Sequence, residues 1–125
     1  MRGSDRKILV FDLPAKCFDV SIIAFNEGRQ EVLSCNGQSD TGDLHDLDEV
    51  LQLTRKPCLQ ALRDAQIQST QLDAIDLAGE RTQDRRTVQH VEELFGLTPE
   101  TLFDPEEIVA VGAAIWADFI AQQSG

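Results

Sequence analysis

Two apolar stretches near the amino terminus, with a short loop between them, constrain the fold more than any other part of the chain. Lys7–Phe11 is almost entirely apolar, which is typical of a central strand buried on both faces. Phe18–Phe25 and Gln30–Ser34 flank Asn26-Glu27-Gly28-Arg29, where the glycine is placed for a hairpin turn. The sequence therefore predicts three antiparallel strands, the first two joined by the segment between Phe11 and Phe18.

Helical and strand patterns alternate in the rest of the chain. After a polar connector, Asn36–Gly42, apolar residues recur at spacings of three, four and seven, which predicts one face of a long helix. The residues of that face are Leu44, Leu47, Leu51, Cys58, Leu62 and Ala65. Pro57 is expected to bend this helix, because proline removes a backbone hydrogen bond and clashes with the preceding turn. Ala74–Leu77 predicts a short strand.

Two more helices are predicted toward the carboxyl terminus. Arg85–Phe95 ends at Gly96, a residue typical of helix C-caps. Asp104-Pro105-Glu106-Glu107 combines an N-cap acid with a proline at the first helical position, ahead of an apolar stripe that runs from Ile108 to Phe119. An antiparallel unit extended by βα units predicts an α/β fold. We expect a mixed sheet with helices against it.

Length and charge limit the class of protein. A chain of 125 residues can form one domain with its own core. Its formal net charge of −11 disfavours nucleic acid and anionic membranes as partners. No apolar run approaches the roughly 20 residues that span a bilayer, and nothing resembles a cleavable signal, so a cytoplasmic location is expected. Met1–Ser4 resembles a vector leader; we predict a leader or disordered segment over residues 1–6 and one domain over residues 7–123.

The three cysteines predict neither a zinc site nor a redox pair. Cys17, Cys35 and Cys58 are widely spaced and form no C-x-x-C motif. A hairpin turn at Glu27-Gly28 would place Cys35 opposite Val20 and away from Cys17. We therefore expect reduced thiols.

Several segments resemble the ATPase domain of DnaK-type heat-shock chaperones, which belong to the actin-like ATPase superfamily. Ile8–Ile23 is similar to the segment containing D-L-G-G-G-T-F-D-V-S in that family. Pro57–Ala65 resembles E-P-x-x-x-A-L-x-D-A, and Leu72–Gly79 resembles I-D-x-V-x-L-V-G-G. Glu93–Gly96 and Asp104–Ile115 resemble E-F-F-G and N-P-D-E-A-V-A-I-G-A-A-I. The resemblance implies an RNase-H-like subdomain from the second half of the ATPase domain. Such a subdomain has a mixed five-stranded sheet, with the first strand in its interior and about three helices against it.

Both nucleotide-binding motifs of the family are altered in this chain. The three glycines of the first motif are replaced by Pro14, Ala15 and Lys16, and its threonine by Cys17. Glycine lets backbone N–H groups approach a polyphosphate closely, whereas proline has no N–H and restricts φ to negative values. The second motif, G-G-S-T-R-I-P-x-V-Q, corresponds to Ala78–Gln89, which is two residues longer and has lost one glycine.

The resemblance also names the residues of any nucleotide site that remains. The candidates are Asp12, Lys16, Cys17, Gly79 and Arg81. Asp12 matches the acidic residue near the hydrated magnesium ion in the family, and Asp19 matches a cation-site aspartate. Three of these residues also have simpler interpretations. Asp12 could be an aspartate that caps a turn, Asp19 an ordinary acid in a hairpin, and Lys16 a solvated loop lysine.

Two functions follow from the resemblance and its losses. The family inserts an α/β lobe, which supplies its adenine clamp, at a point that Gln38–Asp43 bridges here. We favour a non-catalytic remnant, or an engineered minimal form, that acts without a cofactor as a folding unit, scaffold or protein-interaction module. Its partner would be a second copy or another protein, bound at the face that meets the other lobe in the family. The alternative is residual binding of ATP or ADP with magnesium, through a homodimer, with little or no hydrolysis.

Overall fold

The computed structural model describes residues 6–38 and 46–99. This part of the chain forms a mixed α/β structure with four strands and two α-helices. The elements are β1 (Arg6–Asp12), β2 (Phe18–Asn26), β3 (Arg29–Gln38), α1 (Leu47–Ala65), β4 (Ala74–Ala78) and α2 (Arg85–Phe95). Short 3₁₀ turns at Ser69–Gln71 and Glu80–Gln83 flank β4. The α/β class and the mixed sheet are confirmed. The fifth strand is not found in this part of the chain, and the helix expected after Asp104 lies outside it.

The four strands lie in the order β3-β2-β1-β4. β1 is antiparallel to β2 and parallel to β4, so the first strand is interior to the sheet, as predicted. Its two faces are both lined with apolar side chains: Leu9 and Phe11 belong to the main core, and Val10 packs against a smaller cluster on the opposite face. This two-sided burial explains the nearly continuous apolar run in the sequence.

The β2–β3 hairpin turns where the sequence places it, but its register differs from the prediction. Glu27 and Gly28 have φ values of 52° and 79°, both positive as a two-residue type I′ turn requires. A β-bulge at Ile22/Ile23 then shifts the pairing by one residue. Cys35 therefore lies opposite Ser21, and the expected pairing with Val20 is wrong.

The bulge also changes which side chains of β3 face α1. Ser34 lies opposite Ile22, and its Oγ donates a hydrogen bond of 2.8 Å to the Ala61 carbonyl oxygen in α1. Leu33, next to it in the chain, packs against the same main core. β3 continues to Gln38, so the predicted connector is wrong over residues 36–38.

Two N-capped helices complete the described fold. Asp46 caps α1 through a 3.0 Å hydrogen bond from the Asp48 N–H, and α1 continues through Pro57 without a break. α2 has the predicted bounds, with Gly96 as a left-handed C-cap at φ 70°.

A side-chain hydrogen bond joins the two helices. Thr54 Oγ1 donates its hydrogen to the Leu51 carbonyl oxygen and lies 3.0 Å from His90 Nε2. Because the Thr54 hydroxyl has only one hydrogen, His90 donates to Thr54.

The main core lies between one face of the sheet and the two helices. It contains residues from β1, β2, α1, β4 and α2: Leu9, Phe11, Phe18, Val20, Ile22, Val50, Leu51, Cys58, Ala61, Leu62, Ile75, Val91 and Phe95. Phe11 and Phe18 contact each other with ring centroids 4.7 Å apart. Neither helix of the described ranges is long and apolar enough to cross a membrane.

Candidate functional site

Two loops meet at the carboxyl ends of β1 and β4. Because these strands are parallel neighbours, the loops that follow them, Leu13–Cys17 and Gly79–Asp84, leave the same edge of the sheet. The Leu13 N–H donates to the Ala78 carbonyl oxygen at 2.8 Å, and the Arg81 N–H donates to the Leu13 carbonyl oxygen at 3.2 Å. We call this pair of loops the loop junction.

Gly79 lets the two loops approach each other closely. Its φ is +92°, a conformation that residues with a side chain rarely adopt. A Cβ at this position would lie 2.4 Å from the carbonyl carbon of Leu13 and 2.6 Å from the nitrogen of Pro14. The glycine that the resemblance assigned to a nucleotide therefore packs against the peptide that joins Leu13 to Pro14.

The Arg81 side chain forms a hydrogen bond between the two loops of the junction. Its Nε donates a hydrogen bond of 2.8 Å to the Pro14 carbonyl oxygen, across 67 residues of sequence. The loop that carries Arg81 is held in turn by two threonines: Thr82 Oγ1 donates to the Gly79 carbonyl oxygen at 2.6 Å, and Thr87 Oγ1 donates to the Arg81 carbonyl oxygen at 2.7 Å. Arg81 thus joins the two loops through its N–H and its guanidinium, while Thr87 of α2 holds its carbonyl group.

A pair of aspartates lies beside the junction. Asp12 is the last residue of β1 and lies directly opposite Asp19 of β2. Burial and the neighbouring Asp19 raise the pKa of Asp12, and burial raises the pKa of Asp19. In the described part of the chain, neither carboxylate accepts a hydrogen bond or joins an ion pair. Two half-buried acids side by side can hold a proton or a cation between them.

Gly37 of β3 makes room for this pair. It lies opposite Asp19, and a Cβ on Gly37 would come within 2.7 Å of Asp19 Oδ1. Gly37 falls in the segment predicted to be a connector, so its part in the site was not predicted. A glycine opposite a motif aspartate would have been the signal, but it becomes visible only in the register that the bulge creates.

Cys17 lies near the aspartate pair, whereas Lys16 does not join the site. Burial, then the negative charges of Asp19 and Asp12, raise the pKa of the Cys17 thiol, and Arg81 opposes this shift. A thiol with a raised pKa is a poor nucleophile at neutral pH. Lys16 is exposed and has no hydrogen bond or ion pair with any other described residue. The structure therefore brings five candidates together, Asp12, Cys17, Asp19, Gly79 and Arg81, and leaves Lys16 in solvent.

Comparison with known proteins shows which family the chain belongs to. The family model described as "Hsp70 protein" matches residues 1–52 and 44–124. The chain belongs to the Hsp70 family. It is 39% identical over 77 residues to the chaperone protein DnaK of Thermosipho africanus and 38% identical over 77 residues to that of Thermosipho melanesiensis. Each match covers 62% of this chain and 13% of the relative.

These matches confirm the resemblance to DnaK-type chaperones. This Hsp70 chain spans only a small part of the length of the curated relatives that it matches. The activity of a whole chaperone therefore does not transfer to it directly, and its own function depends on what the loop junction and the remaining surfaces can do.

Proposed function

We propose that this chain is a nucleotide-independent Hsp70 subdomain that acts as a folding unit, scaffold or protein-interaction module. The observation that supports this most is the hydrogen bond from Arg81 Nε to the Pro14 carbonyl oxygen. It joins the two altered motifs directly to each other, in the place where the family resemblance would put phosphate groups.

Phosphate binding by a loop depends on backbone N–H groups that point toward the anion. Pro14 has no N–H, and the carbonyl oxygens of Leu13 and Pro14 are the groups that meet Arg81. Exposed Glu80 and the Asp12–Asp19 pair add negative charge nearby. The residues of the junction therefore do not fit a polyphosphate. Hydrolysis is not expected either, because phosphoryl transfer requires donors placed around the transferred group.

Two features favour the alternative of residual magnesium-dependent binding of ATP or ADP. Asp12 and Asp19 still adjoin each other, and a divalent cation between them would offset the burial and the mutual repulsion that raise the pKa of Asp12. Gly79 also keeps the positive φ that close backbone approach requires. In this alternative a homodimer would have to complete the cleft.

Thermal unfolding with ligands distinguishes the two functions. A ligand that binds only the folded state stabilises it by about 2.7 kcal/mol at a concentration 100 times its Kd. We expect the melting temperature to be the same with millimolar MgATP, with MgADP and with magnesium alone. A rise of several degrees with MgATP but not with magnesium alone would overturn the proposal.

A variant with restored glycines provides the matched control. We expect the triple substitution Pro14→Gly, Ala15→Gly and Lys16→Gly to leave the chain as insensitive to MgATP as the original, because Arg81 and the acidic residues remain. If the triple variant gains a nucleotide-dependent shift that the original lacks, the loop sequence alone is what prevents binding. If both chains show the shift, the alternative holds.

A further inference from the structure

The helix α1 carries a groove on the side that points away from the core. The inner face of the helix packs into the core through residues such as Leu51, Cys58 and Leu62. The groove has a volume of about 310 Å³ and is lined by Gln52, Arg55, Lys56, Leu59, Gln60 and Arg63. All six are exposed except the half-buried Gln60. We call this surface the α1 groove.

The centre of the α1 groove is a leucine enclosed by positive charges. On a helix, the surface neighbours of a residue are those three and four positions away. For Leu59 these are Arg55, Lys56, Leu62 and Arg63. Leu62 belongs to the core, so the neighbours of Leu59 at the surface are all basic. Leu59 itself has an exposed fraction of 37%. The groove therefore presents an apolar contact inside a ring of cations.

The cations of the groove have no acidic partner among the described residues. None of the three takes part in an ion pair there. The adjacent acid, Asp64, instead accepts hydrogen bonds from Gln60 at 2.7 Å and from Asn36 at 3.2 Å. The lining holds three of the 11 lysine and arginine residues of the chain and none of its 22 acidic residues. Its local charge is thus opposite in sign to the net charge, and an anionic group is its complement.

The net charge of −11 and the charge of the groove act on an anionic partner in opposite directions. At physiological salt, the Debye length is about 8 Å, so distant acids are screened while contacts inside the groove are not. A short anionic segment therefore experiences mainly the groove. Nucleic acid or an anionic membrane extends over many Debye lengths, meets the acidic surroundings and offers no aliphatic side chain to Leu59.

We propose that the α1 groove is a docking site for an acidic peptide segment of another protein. An aliphatic side chain of the segment packs on Leu59, and its carboxylates pair with Arg55, Lys56 and Arg63. The inference rests on the proposed function, because it gives the chemistry of a partner for the interaction module. An apolar contact surrounded by charged groups is a common composition of surfaces that meet other proteins.

The interaction is expected to be weak. The groove covers only a small part of a typical stable interface, and exposed ion pairs each contribute little, so a Kd on the order of 100 µM is expected. A synthetic peptide, E-E-L-E-E-L-E-E, serves as the probe. It is titrated into the isotopically labelled full chain at physiological salt, and amide chemical shifts report where it binds. We expect the shift changes to concentrate on residues 52–63.

Two further peptides separate the apolar and the charged parts of recognition. E-E-S-E-E-S-E-E lacks the aliphatic side chains, and K-K-L-K-K-L-K-K reverses the charge. Each should bind roughly tenfold more weakly than the probe or worse. Equal affinity for all three peptides, shift changes that lie outside α1, or no binding of the probe at millimolar concentration would overturn the proposal.

Four variants of the chain test the groove with matched controls. Arg63→Glu should weaken binding of the probe roughly tenfold, because it places like charges in contact. Arg29→Glu makes the same charge change on the exposed start of β3 and should keep the affinity. Leu59→Ser should weaken binding, whereas Leu53→Ser removes an equally exposed leucine, at 38%, from outside the groove and should not. Equal losses within either pair would contradict a site in the groove.

Other occupants are distinguished by the same measurements. A DNA duplex or phosphatidylserine vesicles that bind the groove as tightly as the probe would overturn the choice of an acidic protein segment. So would self-association in sedimentation velocity that Arg63→Glu abolishes, because a second copy would then be the occupant. A rise in melting temperature with MgATP while the probe still binds would reject nucleotide independence alone. Failure of the probe to bind, with no effect of MgATP, would reject the groove alone.

Discussion

At the scale of single residues, Asp12 and Asp19 place two half-buried carboxylates opposite each other at the ends of β1 and β2. A carboxyl group whose pKa is raised in the folded state binds more protons there than in the unfolded chain. Its contribution to stability is present below the ordinary pKa of 3.8 and is lost as the pH rises through the raised value. At neutral pH, these two charges therefore oppose folding.

Replacing either charge should stabilise the chain at neutral pH. We expect Asp12→Asn and Asp19→Asn each to raise the melting temperature by a few degrees at pH 7. The gain should disappear near pH 4, where the carboxylates of the original chain take up protons. The double variant should gain less than the sum of the two, because the first substitution already removes the mutual repulsion.

Glu31→Gln is the matched control for this experiment, because it removes an equal charge from an exposed position on β3. It should change the melting temperature much less. A fall in stability at pH 7 for either asparagine variant would mean that a cation or donor holds the pair together.

At the scale of elements, the contact between the two loops depends on Gly79. Comparing alanine substitutions at Gly79 and Gly96 measures how much this contact stabilises the fold. Gly79 and Gly96 both have positive φ, but a Cβ on Gly96 would meet nothing within 4 Å. We expect Gly96→Ala to cost about 1 kcal/mol in free energy of unfolding, from backbone strain alone. Gly79→Ala should cost a further 1–3 kcal/mol or so, because it also overpacks the junction.

Chemical denaturation of the two alanine variants provides the measurement. Equal losses would mean that the loops separate without cost and that the junction does not stabilise the fold. Hydrogen exchange of residues 13–17 should accelerate only in the Gly79→Ala variant, since Gly96 caps α2 far along the chain from this loop.

Local chemistry and periodicity predicted the elements well, because the physics that decides them lies within a few residues. The bounds of α2 follow from its apolar spacing and from Gly96 at its end. The bulge in β3 could not be predicted, because pairing with both β2 and α1 decides it. The site candidates came from the family resemblance. The hydrogen bond from Arg81 to Pro14 depends on tertiary approach, and no local pattern indicates it.

At the scale of the whole molecule, the net charge of −11 acts on the fold as self-repulsion. The ion pairs of Arg86 with Asp48 and with Asp84 are exposed and contribute little, so salt has little attraction to weaken there. We expect the melting temperature at pH 7 to rise as sodium chloride increases from about 0.05 to 0.5 M, because screening shortens the range of repulsion. The rise should vanish at acidic pH, where the carboxylates are neutral. A fall at pH 7 would contradict this prediction.

The span of 67 residues between Pro14 and Arg81 also sets an order of folding. The β1–β2–β3 unit can form from contacts between near neighbours in the chain, whereas the pairing of β1 with β4 must close a much longer loop. We therefore expect Leu13–Cys17, the loop that most clearly marks the family, to be among the last parts to acquire its shape. On a chain emerging from the ribosome, that loop has no partner until Arg81 has been made and β4 has docked.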